Sequence, residues 1–252
     1  MPVRISFITL LFICLYSISL NAQERVIIKL DGGMKPILNE SFGTHKYNQI
    51  ITTGKDSSSI SKIYDLNNRL FSQTKEKYNE ELGYNEAIIS KYDTLQNLIS
   101  SEIKNVDNGS FVRFFLEGEV VVSRLEYMAG GSYSFYLGDE ESPILQSEKN
   151  PMVLQTNYEM RDYNSFLAQN LRYPQQARYR KEMGTVLLKL DINEEGEVSE
   201  ISCLNKDELY KPLINEAIRV MKAFNPSFIA PIDIYGNKTT SLVRVLIRFK
   251  LS

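Results

Sequence analysis

The sequence predicts an α+β fold in which an antiparallel, β-rich N-terminal region precedes a smaller module with the order strand, strand, helix, strand. One observation is a series of short strand-like runs, separated by turn residues, from Glu24 to about Leu145. Another is an alternating strand, an apolar helical stripe and a second alternating strand near the C-terminus. With 252 residues, 43% of them hydrophobic, the chain can supply cores for two domains.

Composition and turn residues suggest four segments. They are an export signal over residues 1–22, a hairpin-repeat domain over 24–145, a linker over 146–160 and the strand–helix module over 161–252. The formal net charge of −2 and the pI of about 5.7 lack the basic footprint that phosphate backbones select. We therefore expect no nucleic-acid partner.

The first residues, MPVRISFITLLFICLYSISLNAQ, have the features of a secretory signal peptide. Arg4 precedes an apolar run from Ile5 to Leu20, and the small residue Ala22 stands where a signal peptidase can cut. The alternative is an uncleaved anchor, but the run is shorter than the ~20 apolar residues that a membrane span needs. We expect a protein of the periplasm or cell envelope, anchored in the inner membrane if the segment is uncleaved.

Three stretches of the N-terminal region share an aromatic residue, a polar turn, and a hydrophobic residue that starts the next strand. They are YDLNNRL at Tyr64, YDTLQNL at Tyr92 and FLEGEVV at Phe115. The spacing predicts β-hairpins that stack side by side, and it resembles the MORN-like hairpin repeats of envelope proteins. A polar segment with Pro143 and Pro151 follows and is typical of a linker.

The C-terminal module begins with two short helical segments. Asn164 or Ser165 can cap the first, and Pro174 ends it because the residue before a proline is pushed out of the helical region. Pro174 can also stand in the first turn of the second segment, where its missing N–H is no loss. Gly184 then frees the backbone to turn into a strand.

An alternating strand, TVLLKLDIN, turns through NEEGEV into an antiparallel return strand. Gly196 is available for a positive φ in that turn. The apolar residues of the return strand do not share one strict alternation, and a bulge near Ser199 would reconcile them. The apolar positions are Val186, Leu188, Leu190 and Ile192 in the first strand and Val198, Ile201 and Cys203 in the return strand.

A helix and a final strand complete the module. Because the helical crossover must be right-handed, we expect the third strand beside the first, parallel to the second and at an edge, with exposed arginines on one face. The helical stripe contains Leu209, Leu213, Ala217, Val220, Met221 and Phe224. The last strand places Val243, Val245, Ile247 and Phe249 on one face and Leu242, Arg244, Leu246 and Arg248 on the other.

Together these features resemble the C-terminal domain of TonB-type energy transducers over about Asn164 to Leu251. The resemblance rests on YPQQA, GTVLLKLDINEEGEV, INEAIRVMKAF, Pro226, YGNK and VRVLIRFKL in this order. The family usually has a tryptophan late in the helix, where this chain has Phe224. The family also has a glutamine–proline pair where this chain has Leu171 and Arg172. This second difference affects the contacts that the segment leading into the domain makes with a receptor.

The resemblance implies a ββαβ domain with a three-stranded antiparallel or mixed sheet that captures an extended segment of an outer-membrane transporter or receptor as an added strand. A full transducer also couples to proton-driven motor proteins of the inner membrane. The alternative is a secreted adaptor or peptide-binding scaffold without energy transduction, and the edge strand also allows a homodimer. The implied partner-binding residues are Leu242, Arg244, Leu246, Arg248 and Phe249, with Tyr173 and Pro174 framing the start of the domain.

Residue types for catalysis and metal binding are scarce. The only histidine is His45, and export would leave Cys203 as the only cysteine, so a four-ligand zinc site of the usual type cannot form. The chain has neither the spacing of a phosphate-binding loop nor a nucleophile elbow. We expect no enzymatic activity, catalytic residue, metal or cofactor; a hydrolase that depends on His45 is a distant third alternative.

Overall fold

The structure is a computed structural model, and it describes residues 24–37 and 44–251. The predicted signal segment, residues 1–22, lies outside the described residues. The chain divides into two compact units: one extends to Val121 and includes Glu126–Ala129, and the other combines Val122–Leu125 with the chain from Gly130 onward. The boundaries predicted for the domains and the linker stay a prediction.

In the described part of the chain, ten strands form the N-terminal sheet, and their order in the sheet follows their order in the chain. This confirms the predicted antiparallel, β-rich region. The strands are β1 (Glu24–Leu30), β2 (Tyr47–Thr53), β3 (Ser59–Asp65), β4 (Leu70–Asn79), β5 (Tyr84–Tyr92), β6 (Leu98–Asn105), β7 (Phe111–Glu117), β8 (Val120–Met128), β9 (Ser132–Leu137) and β10 (Leu145–Ser147).

Two of the predicted hairpin repeats fold into the same turn. Asp65 and Asp93 each accept backbone N–H bonds, with one carboxylate oxygen, from the residues two and four positions later. Asn68 and Gln96 occupy equivalent places in the two turns, with left-handed φ angles of 60° and 70°. The Gln96 side chain also bonds to the backbone of Leu70, which joins the two hairpins.

Three strands form the C-terminal sheet. The central strand β12 (Gly184–Ile192) pairs antiparallel with β13 (Val198–Cys203) on one side and with β15 (Ser241–Phe249) on the other. The final strand therefore lies beside the first strand of the module and at an edge, as the sequence predicts. A separate small sheet pairs β11 (Gln155–Thr156) with β14 (Phe228–Ile229).

The register between β12 and β13 shifts at Ser199. Asp191 pairs with Glu200 and Ile192 pairs with Val198, so Ser199 is the extra residue of a bulge. Its hydroxyl donates a hydrogen bond to the Asp191 carbonyl at 3.1 Å. The bulge predicted from the broken alternation is confirmed, and it lets the apolar residues on both sides of it face the core.

Two glycines of the C-terminal module stand where a Cβ atom would not fit. Gly196 has the expected positive φ, 85°, and a Cβ there would lie 2.0 Å from the Phe228 carbonyl oxygen. The role predicted for Gly184 is wrong, because the left-handed residue before the strand is Lys181, with a φ of 55°. A Cβ on Gly184 would lie 2.5 Å from a Leu209 methyl carbon, so this glycine makes room for that side chain.

Three α-helices are described: α1 (Met160–Asn170), α2 (Gln175–Tyr179) and α3 (Lys211–Phe224). The predicted cap at Asn164 or Ser165 is wrong, because α1 has Glu159 as its N-cap residue. The additional turn places the Tyr163 ring against Phe224, with centroids 5.3 Å apart, and this aromatic contact favours the earlier start. Among the described residues no helix is long and apolar enough to cross a membrane.

The core of the C-terminal module lies between α3 and one face of the sheet. The predicted helical stripe is buried there, except that Leu209 lies before α3 and Phe224 is half-buried. Proline in the first turn of α3 favours its start at Lys211. The fully buried members are Ala177, Val186, Leu188, Leu190, Ile192, Leu213, Ala217, Val220, Met221, Phe228, Ile247 and Phe249.

Candidate functional site

The strand β15 has one buried face and one exposed face. Ile247 and Phe249 are 1% and 3% exposed in the core, whereas Leu242 and Leu246 on the opposite face are 50% and 65% exposed. Single exposed leucines are common on protein surfaces, so these two matter because of the backbone edge on which they lie. The arginines of the same face are also exposed.

The backbone of β15 alternates in the same way. Leu187 of β12 donates its N–H and accepts with its C=O on the β13 side, so its neighbour Leu188 directs both groups toward β15. Val245, which lies opposite Leu188, therefore bonds to β12. The residues of β15 whose N–H and C=O face away from β12 are Leu242, Arg244, Leu246 and Arg248.

No other strand pairs with this side of β15 among residues 24–37 and 44–251. The strand is nine residues long, and all nine pair with β12 without a register shift. A long and regular free edge is a template for an added strand. The same four residues thus present both exposed side chains and outward backbone groups.

The other edge of the sheet, at β13, is different. It is six residues long and interrupted by the bulge at Ser199. Just before it, Glu197 forms a bridge with Ser227, and the Gly196 carbonyl accepts the N–H of Phe228 at 2.9 Å. A groove of about 290 Å³ lies between this edge and the end of α3. Only a short part of β13 can accept another strand.

The open edge is basic. The segment from Ser241 to Lys250 contains Arg244, Arg248 and Lys250 and no carboxylate. Lys189 lies opposite Arg244, but its ammonium bonds to Asp191 at 2.8 Å, and this hydrogen bond raises the pKa of Lys189. In the described part of the chain neither arginine of β15 forms an ion pair.

Tyr173 and Phe249 meet at the end of β15. Their rings pack edge to face with centroids 5.7 Å apart, and the Tyr173 hydroxyl donates to the Glu182 carbonyl at 2.5 Å. Pro174 is the N-cap residue of α2. Because the Phe249 side chain is buried, these residues hold the end of the strand from the inner side, while the four outward residues form the exposed surface.

Glu216 of α3 holds the segment that precedes Tyr173. Its carboxylate accepts the Arg172 N–H at 2.7 Å and two guanidinium bonds from Arg219, which also donates to the Asn170 carbonyl at 2.7 Å. Burial raises the pKa of Glu216, but the bonds from Arg219 and Arg172 outweigh it and hold the pKa below its ordinary value. The contact uses the backbone at position 172, where the chain departs from the usual family sequence.

Phe224 occupies the place where the family usually has a tryptophan. Its ring lies 5.1 Å from those of Tyr158 and Phe166 and 5.3 Å from that of Tyr163. Burial raises the pKa of Tyr163 to about 12. The cluster ties α1 to α3, so phenylalanine serves the packing role of a large aromatic residue here.

The other candidate residues lie outside this surface. The His45 Nε2 atom is 3.0 Å from the Asn48 Oδ1 atom, and the half-buried Cys203 thiol donates to Asn205 at 3.5 Å. Among the described residues no group of three or more His, Cys, Asp or Glu side chains could hold a metal ion.

Two features of the structure are not predicted by the sequence pattern. The Glu216 contact joins residues 44 positions apart, and its only local signal is the i, i+3 pair with Arg219. The cover that Ser227 gives to the β13 edge has no sequence signal, since it depends on how the chain folds back after α3.

Domains that bind extended segments by strand addition use an exposed sheet edge, and β15 offers such an edge among the described residues. Residues 169–251 match the family model described as Gram-negative bacterial TonB protein C-terminal. The predicted resemblance is therefore confirmed for this part of the chain. No curated protein and no solved structure matches the chain.

The match shows a TonB-like domain over residues 169–251, and at the level of the family such a domain belongs to cell-envelope proteins that interact with receptors in transport. The domain of this family is a non-enzymatic, protein-interaction domain. The match covers the C-terminal module, and the ten-stranded sheet lies before it.

Proposed function

We propose that this is a TonB-like periplasmic protein that binds an extended segment of an outer-membrane transporter and takes part in energy-dependent transport. The observation that carries the proposal is the uninterrupted outer edge of β15, which faces no other strand among the described residues. An added strand satisfies the outward donors and acceptors, and its main-chain hydrogen bonds supply affinity. The protein needs no reactive side chain for this task.

The candidate residues divide into two roles. Leu242, Arg244, Leu246 and Arg248 contact the added strand with backbone and side chain. Tyr173, Pro174 and Phe249 keep the end of β15 in place, because the Tyr173 ring packs on the buried Phe249 ring.

Energy transduction would require motor partners in the inner membrane and an N-terminal anchor. The alternative is an exported adaptor that binds the transporter without pulling on it. The ten-stranded sheet favours this alternative, since it occupies Glu24–Ser147, where a transducer needs a spacer. A homodimer through β15 would compete with the transporter for the same edge.

Site-specific photocrosslinking in the native cell envelope tests strand capture. A photoreactive residue replaces Leu246 on the open edge, and a matched one replaces Glu200, whose side chain is exposed on β13. We expect the first to crosslink to the periplasmic segment of an outer-membrane transporter and the second to give no such product. Equal crosslinking from both positions, or crosslinks from Leu246 only to a second copy of the chain, would contradict the proposal.

Fractionation with N-terminal sequencing separates the two forms of the proposal. A chain recovered in the inner membrane with its N-terminal residues intact is the anchored transducer. A soluble chain that begins near Gln23 is the adaptor.

A further inference from the structure

We infer that β15 selects a partner strand with an acidic, an apolar and an acidic residue at alternate positions. The inference rests on the proposed function and specifies the chemistry of the segment that this edge binds. The pattern reads the same in both directions, so it does not depend on whether the added strand runs parallel or antiparallel to β15.

Side chains on the exposed face of the sheet determine which residues of the partner strand fit. Side chains of an added strand alternate between the two faces, and those on the exposed face stand beside Arg244, Leu246 and Arg248. Directly opposed side chains on neighbouring strands are close enough to interact. Three alternate positions of the partner are therefore read by an arginine, a leucine and an arginine.

The central position is apolar because an apolar stripe crosses the sheet there. Leu246 lies opposite Leu187 of β12, and Leu204, which directly follows β13, donates its N–H to the Leu187 carbonyl. Leu204 and Leu246, at the two ends of the stripe, are 46% and 65% exposed. An apolar side chain opposite Leu246 extends the stripe and removes this leucine from water.

The flanking positions are acidic because the edge offers cations without counter-charges. Lys189, the side chain opposite Arg244, is itself a cation and is engaged by Asp191. Like charges on directly opposed residues are unfavourable, and a carboxylate on the other side of Arg244 offsets this. A planar guanidinium also matches a carboxylate with two parallel hydrogen bonds.

The same charges disfavour a second copy of this chain as the occupant. Pairing of two β15 strands brings together two segments that each carry Arg244, Arg248 and Lys250 and no carboxylate. An acidic segment from another protein is complementary to this edge and is therefore its expected occupant.

Fluorescence anisotropy with the full chain tests the inference. The probe is a short labelled peptide of threonines with aspartate, valine and aspartate at alternate central positions. Replacement of both aspartates by asparagine is expected to weaken binding about 3- to 10-fold in low salt, as for two exposed ion pairs. The difference should shrink at high ionic strength.

A charge swap provides the specificity control. The double variant Arg244→Glu and Arg248→Glu should bind the aspartate peptide about 10-fold or more weakly than the unmodified chain does. It should bind more tightly a peptide in which lysines replace the two aspartates. The matched variant Lys206→Glu and Lys211→Glu has the same change in net charge on exposed residues away from the edge, and it should bind like the unmodified chain.

The outcomes separate the inference from the function on which it rests. Equal affinity for the aspartate, asparagine and lysine peptides would overturn the charge pattern and leave strand capture in place. If no peptide of this set bound to a chain whose far-UV circular dichroism spectrum shows that it is folded, the result would count against both the charge pattern and strand capture. Loss of the aspartate peptide in the Lys206→Glu and Lys211→Glu control would assign the effect to net charge and overturn the inference.

Discussion

The two outer strands of the C-terminal sheet flank the same central strand, yet their free edges differ. The β13 edge is short, carries the Ser199 bulge and is bridged by Ser227 at its start. The β15 edge is nine residues long, regular and open. Both strands bury one apolar face against the same core.

The difference indicates that each edge of the sheet is protected against strand pairing by its own local structure. Proteins commonly protect exposed edges with bulges, short strands or covering segments. This chain uses all three at β13 and relies on charges alone at β15. Charges repel another copy of the same edge but admit an acidic strand, which is what a binding edge requires.

Proline substitutions at neighbouring positions of β15 should have the largest and most unequal effects. Val245→Pro removes an N–H that bonds to β12 and leaves its acceptor unpaired, so it should lower the free energy of unfolding by about 3 kcal/mol. Leu246→Pro removes an outward N–H and should cost less than about 1 kcal/mol, yet it should abolish peptide binding. Urea denaturation and anisotropy measure the two effects.

Leu246→Ala is the matched control for the proline, since it shortens the side chain and keeps the N–H. It should bind the peptide measurably. If Leu246→Pro bound as well as Leu246→Ala does, the added strand would not pair with this backbone.

Gly196→Ala tests the cover over the β13 edge. The residue has a φ of 85° and no room for a Cβ beside the Phe228 carbonyl, so we expect a loss of roughly 1–3 kcal/mol in urea denaturation. Gly118 is the matched control, because its φ is 60° and nothing lies within 4 Å of a Cβ there. Equal losses for both substitutions would mean that backbone strain, and not the close contact with Phe228, limits position 196.

Glu216→Gln tests whether the leading segment supports the end of β15. It removes the charge that binds Arg219 and should cost about 1 kcal/mol at neutral pH. Because the pKa of Glu216 is lowered in the folded state, its contribution is present above the unfolded value of about 4.3 and is lost as the pH falls through the folded value. The difference between the two proteins should therefore shrink in denaturation below about pH 4.

Deletion of Ser199 should have the smallest effect on stability and sharpen the comparison of the edges. Without the extra residue β13 alternates regularly, so the free energy of unfolding should change by less than about 1 kcal/mol. A second, weaker peptide site should then appear in titration calorimetry. A stoichiometry that stays at one peptide per chain would mean that Ser227, and not the bulge, protects this edge.

The sequence was informative wherever side-chain periodicity alone decides the outcome. The alternation of Val243 to Phe249 predicts the buried and exposed faces of β15, and the broken alternation around Ser199 predicts the bulge. Both follow from the strict period of two in a strand.

Features that depend on distant contacts were missed. The start of α1 at Met160 depends on aromatic packing against Phe224, and the need for glycine at position 184 depends on Leu209. The bond between Glu216 and the Arg172 backbone is of the same kind. Which of the two edges is covered also depends on the path of the chain after α3.

Residue-specific amide hydrogen exchange of β15, measured by NMR with and without the aspartate peptide, tests the central claim most directly. In the free chain the amides of Leu242, Arg244, Leu246 and Arg248 should exchange fast, and those of the alternate residues should exchange slowly. The peptide should protect the first set and leave the second unchanged. Protection of the β13 amides instead, or binding that leaves Arg244 and Leu246 unprotected, would contradict the account.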